Sequence, residues 1–117
     1  ERFKKTVKAI EKELAYNGLL YRYKNQDDFG LPSSSFTVCT FWFINSLIKI
    51  VEAEKAKKYF EDLLSYSNHL DLFSEDIDFD SKRLLGNFPQ AYSHLALIDT
   101  ALSFNAVKKN KLNVDWS

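Results

Sequence analysis

Apolar residues recur along this chain at two densities. Phe3, Val7, Ile10 and Leu14 stand three and four residues apart with Lys and Glu between them, which predicts a helix with one narrow apolar stripe and a wet outer face. Asn17-Gly18 ends it. Leu19-Leu20-Tyr21-Arg22-Tyr23 is short and alternating, and a long loop follows with Asp27, Asp28, Gly30, Pro32 and three serines. Loops of that length in compact domains tend to be functional or disordered. Between Phe36 and Val51 the pattern thickens: Phe36, Val38, Cys39, Phe41, Trp42, Phe43, Ile44, Leu47, Ile48 and Ile50 occupy nearly every side of a helical wheel. Such a helix needs cover almost all round.

The narrow stripe returns from Ala53 to about Asn68, with Ala56, Phe60, Leu63 and Leu64 set against Lys57, Lys58, Glu61 and Asp62. A fourth helix is expected to start near Pro89, whose fixed φ suits a first turn, and to carry a broadly apolar set from Ala91 to Phe104. Residues 108–117 read as a loose tail. The expected fold is therefore all-α, with four main helices in the order outer, inner, outer, inner. Two such layers are what a barrel of helical hairpins needs, and four helices are too few to close one. No internal repeat supports a solenoid.

Composition narrows the classes. At 117 residues the chain is one domain at most, and its formal net charge of zero gives no general pull toward nucleic acid or an acidic membrane surface. No apolar run approaches the roughly 20 residues of a membrane span. Cys39 is the single cysteine, so no intrachain disulfide can form, and a reducing, cytoplasmic setting is the expectation. Ten Phe, six Tyr and two Trp supply either a heavy core or a surface that stacks on sugar rings. The chain opens without Met, as if already inside a helix, which suggests a piece of something longer.

Several constellations invite chemistry. Asp76-x-Asp78-x-Asp80 matches the first half of a calcium loop, but Ser81 stands where the sharp turn wants Gly and Asn87 where the bidentate Glu belongs. A solvated acidic loop is the plainer reading. Cys39, His69 and His94 lack the spacing of a zinc site. Neither a metal nor a cofactor is expected. His94, one turn past Gln90, reads as a hydrogen-bonded histidine at a helix start, and Cys39 as an inert thiol among aromatics. What remains is a carboxylate loop beside aromatic helices, a combination that sugar chemistry uses.

Three stretches sharpen this. Phe36-Thr-Val-Cys39-Thr-Phe41-Trp42-Phe43-Ile44 is similar to a Phe-x-x-Cys-Ser/Thr-Phe-Trp helix of glycoside hydrolase family 15, the glucoamylase-like enzymes. Leu72-Phe-Ser74-Glu75-Asp76-Ile77-Asp78 resembles that family's Leu-x-Ser/Ala-Glu-Glu-x-Asp loop. The run from Gly86 to His94, Gly-Asn-Phe-Pro-Gln-Ala-Tyr-Ser-His, resembles its Gly-Asn-Phe-Pro-Gln-Ala-Phe-Ser-His block almost residue for residue.

The resemblance implies the C-terminal part of a six-hairpin (α/α)6 barrel from an inverting exo-glycosidase. Glucoamylase-like release of glucose from α-linked glucans is the first expectation, with α,α-trehalase as the alternative of the same family. Glu75 falls on the general base. Trp42 and Phe41 would be wall residues against the sugar, and Asn87, Gln90 and His94 would brace the Glu75 loop. Asp76 would point elsewhere on the loop, as a structural residue or a hydrogen-bonding neighbour. The general acid lies upstream, in the rest of the parent chain, so the isolated fragment should be inactive. Family members often carry an acid before the Cys-x-Phe-Trp helix, where this chain has Pro32-Ser33-Ser34-Ser35. A rival of another class is a non-catalytic helical interaction module. A fragment with two broadly apolar helices should also self-associate.

Overall fold

The computed structural model describes residues 1–115, with side-chain surroundings for residues 1–109. Four helices dominate it: α1 (Arg2–Leu14), α2 (Thr37–Lys49), α3 (Ala53–Leu64) and α4 (Ala91–Asp115). The densely apolar α2 is the element on which the others pack, and it buries Thr37, Val38, Thr40, Phe41, Phe43, Ile44, Asn45 and Leu47. The stripe helices bury far less, Val7 on α1 and Ala56 with Leu63 on α3. Phe41 anchors the core, edge-on to Phe60 of α3 and to Phe73. Its neighbour Phe43 meets Tyr59 edge to face at 5.2 Å.

Boundaries differ from the sequence expectation where side chains compete with the helix. α3 stops at Leu64 instead of running to Asn68, and Asn68 Oδ1 instead accepts from the N–H groups of Leu70 and Leu72, both at 2.9 Å. Such local side-chain bonds offer the backbone an alternative to helix. α4 starts at Ala91, so Pro89 lies in the approach and not in the first turn; the Phe88–Pro89 bond is cis. The backbone of α4 runs helical to Asp115. Side chains from residue 110 onward, together with Trp116 and Ser117, lie outside the described residues, and the expectation of a loose tail falls largely there.

The fold is mostly helical but not purely so. Asn17 and Gly18, at φ +53° and +82°, turn the chain back as a hairpin between β1 (Ala15–Tyr16) and β2 (Leu19–Leu20). Two consecutive positive φ values are the mark of the tight turn that Asn-Gly favours. A second antiparallel sheet joins β3 (Ser35–Phe36), β4 (Asp76–Ile77) and β5 (Leu84–Leu85), with Ser35 opposite Ile77 and Asp76 opposite both Phe36 and Leu85. Three distant stretches thereby meet: the approach to α2, the acidic loop, and the approach to α4.

The layering expected for α4 is only partial. Ser93, Ala96 and Thr100 are buried on the side packed against α2, where Asn45 Nδ2 donates to Asp99 Oδ2 (3.0 Å) and Thr100 Oγ1 (3.1 Å). Tyr92, Leu95, Ile98 and Leu102 are more than half exposed on the other side, where Tyr92 meets the edge of Trp42 from α2. Among the described residues no helix is long and apolar enough to cross a membrane.

Candidate active site

The acidic loop is held by backbone bonds on three sides. The carbonyl of Glu75 accepts from Thr37 N–H at the start of α2 (3.0 Å), and its N–H donates to the carbonyl of Asn87 (2.9 Å). α2 has no side-chain cap, so a backbone carbonyl from the loop satisfies one of its first donors. Below Glu75, Ser74 is fully buried, and its carbonyl accepts from Ser93 Oγ at 2.9 Å. Phe73 carries the strut to α4. Its carbonyl accepts from Gln90 N–H (3.0 Å), and its N–H donates to His94 Nε2 (3.2 Å). His94 Nδ1 in turn donates to the Gln90 carbonyl at 2.6 Å, so the imidazole is read on both nitrogens and has none left for a ligand.

The Glu75 carboxylate is tied on one side only. Oε2 accepts from Asn87 N–H (3.2 Å) and from Asn87 Nδ2 (2.9 Å). Bonds of this kind to a charged acceptor fix its orientation. Gly86 makes the approach possible. A Cβ there would stand 3.0 Å from Glu75 Oε2 and 3.2 Å from Glu75 Cβ, at a φ of +74°.

Glu75 and Asp76 line one cleft of about 430 Å³, together with Arg22, Tyr23, Asp27, Phe29, Ser34 and Phe36. That volume lies within the usual range for small-molecule sites. Asp76 was expected to point elsewhere, as a structural residue or a hydrogen-bonding neighbour; it lines the same cleft as Glu75 and is hydrogen-bonded there. Asp76 Oδ2 accepts from Ser34 Oγ at 2.7 Å, and burial pushes its carboxyl above the usual carboxylate range, with Glu75 adding to the effect. Ser34 thus sits where a further acid was expected by resemblance, bonded to Asp76.

Arg22 holds the opposite wall. Its guanidinium lies over the rings of Phe36 (5.2 Å) and Tyr23 (5.7 Å), and it makes no ion pair among the described residues. A guanidinium stacked on aromatic faces is pre-organised to donate outward. Arg22 and Tyr23 were not singled out in sequence, where the length of the loop after Tyr23 was the only signal; Phe36 opened a matched motif without being given a place in the site.

Other expected site residues fall elsewhere. Phe41 has no exposed surface and is locked between Phe60 and Phe73, so it is a core residue and cannot form a wall against sugar. Trp42 is half exposed and meets Tyr92 edge-on at 5.9 Å, outside the residues that line the cleft. The acidic run is largely spent on its own turn: Asp78 Oδ2 accepts from the N–H of Asp80 and from the N–H and Oγ of Ser81. These bonds, Ser81 N–H foremost, hold the Asp78 carboxyl below the usual range. Among the described residues no group of three or more His, Cys, Asp or Glu is placed to hold a metal ion.

Comparison with known proteins bears on the same segment. The profile of "Glycosyl hydrolases family 15" matches residues 46–102, a span that contains Glu75, Asn87 and His94. A "Trehalase" of Mycobacterium tuberculosis is 44% identical over 104 residues, 86% of this chain and 15% of that protein. One of Thermoplasma volcanium is 45% identical over 102 residues, 86% of this chain and 16% of its own length. "Trehalase 1" of Sulfolobus acidocaldarius is 35% identical over 96 residues, covering 82% of this chain and 17% of that protein. The chain therefore spans less than a fifth of the length of these relatives. No solved structure gives a significant match. With the likeness running through the braced carboxylate loop and the Gly86–His94 block alike, the chain belongs to glycosyl hydrolases family 15.

Proposed function

We propose that this chain is part of a longer catalytic domain, a six-hairpin (α/α)6 barrel, and supplies the general base of an inverting α-glucoside hydrolase. Glu75 is that base. The observation that carries the reading is its half-tied carboxylate: Oε2 is engaged by Asn87, while Oε1 has no partner among the described residues and Glu75 lines the cleft. A free, oriented carboxylate oxygen can take a proton from water as that water attacks the anomeric carbon. Inversion needs a second, protonated carboxyl on the leaving oxygen, roughly 6.5–9.5 Å from the first. That acid is assigned to the rest of the parent chain, and the isolated fragment is inactive. Asn87, Gln90 and His94 position Glu75 and do not touch sugar. Arg22 and Asp76 are the side chains here that offer hydrogen bonds to sugar hydroxyls.

Substrate preference shifts from the first expectation. The similar relatives are named trehalases, which favours α,α-trehalose over the α-glucans of a glucoamylase. Steady-state assays of the full-length protein on trehalose and on maltooligosaccharides decide between them. Trehalose should give the higher kcat/KM. A preference for maltooligosaccharides would restore the glucoamylase reading, and no turnover of either would favour a non-catalytic module.

A further inference from the structure

Phe29 is 98% exposed, the most exposed large apolar side chain among the described residues, and it lies on the lip of the cleft that holds Glu75. Its backbone is not correspondingly loose. Asp27 and Gly30 exchange both backbone hydrogen bonds, at 3.2 and 3.0 Å. Asp27 Oδ1 accepts from Phe29 N–H at 2.9 Å, and Oδ2 accepts from the hydroxyl of Tyr23. One carboxylate thus pins the turn to the wall residue behind it, while the ring at its tip is covered by nothing among the described residues. Within the described residues the ring adds nothing to the core, and its place on the cleft that holds Glu75 presents it to whatever enters there.

We infer that Phe29 is a stacking platform for the second sugar ring of the substrate, the one that departs when the bond at Glu75 is cleaved. This rests on the glycosidase reading above. The ring that reacts must reach the carboxylate inside the cleft, which leaves the lip to the ring beyond it. A pyranose presents an apolar face of C–H bonds with its hydroxyls at the rim. That face is complementary to an aromatic ring, which supplies contact area at little conformational cost. Leu31, also exposed and lining the same cleft, extends the apolar surface.

The test compares a two-ring and a one-ring substrate in the full-length enzyme: trehalose, and α-glucosyl fluoride, whose leaving group is fluoride. Phe29→Ala should raise KM for trehalose about tenfold while leaving the kinetics of the fluoride within about twofold. Phe29→Trp should restore the trehalose KM. Equal losses on both substrates, or no loss on either, would overturn the inference. So would a fall in Tm without a selective change in KM, since that would place Phe29 against another part of the polypeptide. Failure of the unsubstituted enzyme on both substrates would instead sink the glycosidase reading itself.

Discussion

Asn87 and Glu75 clasp each other through backbone and side chain: Glu75 N–H donates to the Asn87 carbonyl, and Asn87 returns two bonds to Glu75 Oε2, from its backbone N–H at 3.2 Å and its Nδ2 at 2.9 Å. The clasp leaves the orientation of the carboxylate to one amide. Asn87→Ala removes only the Nδ2 donor and keeps the backbone pair. In the full-length enzyme kcat should fall about tenfold, the kinetic worth of one charge-assisted bond, with KM within about twofold. A rise in KM at constant kcat would reassign Asn87 to substrate binding.

Gly86 stands under the same carboxylate. Gly86→Ala meets Glu75 at 3.0 Å and must also hold a φ of +74°. Unfolding in urea should show a loss of about 1–2 kcal/mol, and kcat should fall with it because the displaced group is Glu75. Gly30→Ala is the control. A Cβ there meets nothing within 4 Å, so at φ +95° it carries the backbone strain alone and should spare the kinetics of one-ring substrates.

Phe41 and Trp42 are neighbours on α2 with opposite surroundings. Phe41 is fully buried between two other rings, whereas Trp42 is 48% exposed and touches Tyr92. Phe41→Ala should cost about 3–5 kcal/mol in urea unfolding and Trp42→Ala about 1 kcal/mol. Similar losses would contradict the placement of the two rings.

That pair shows where sequence reading runs out. The spacing of Phe3, Val7, Ile10 and Leu14, and of Ala56, Phe60 and Leu63, places a narrow stripe on one face, so α1 and α3 were legible. On α2 nearly every position is apolar, and the wheel cannot say which ring faces inward. Strands of two residues leave no period to detect, and the pairing of Ser35 with Ile77 links positions more than forty apart. The Asn17-Gly18 hairpin did leave a local signal, which also reads as a helix stop. Glu75, Asn87, Gln90 and His94 were legible as a group because they lie in two adjacent motifs. Arg22 and Phe36 join Glu75 only through the second sheet and the fold of a long loop.

Asp76 should leave a signature in the pH dependence of stability. Burial raises its folded-state value above the ordinary 3.8, so in that window the folded chain binds a proton that the unfolded chain has released. Its favourable contribution is full below the unfolded value and is lost as pH rises through the folded one. Asp27 and Asp78 act in the opposite sense: their lowered values lend stability above the ordinary range that disappears as pH falls. Thermal unfolding from about pH 3 to about 7 should therefore show Asp76→Asn gaining on the unsubstituted protein as pH rises. A constant difference across that range would contradict the half-buried placement of Asp76.

The most direct measurement is the turnover of the full-length enzyme carrying Glu75→Gln, assayed on trehalose beside the unsubstituted protein. An amide keeps the shape and can still accept from Asn87, but it cannot take a proton from water. The account predicts a kcat lower by about 10²–10⁴-fold with Tm nearly unchanged. An undiminished kcat would contradict it.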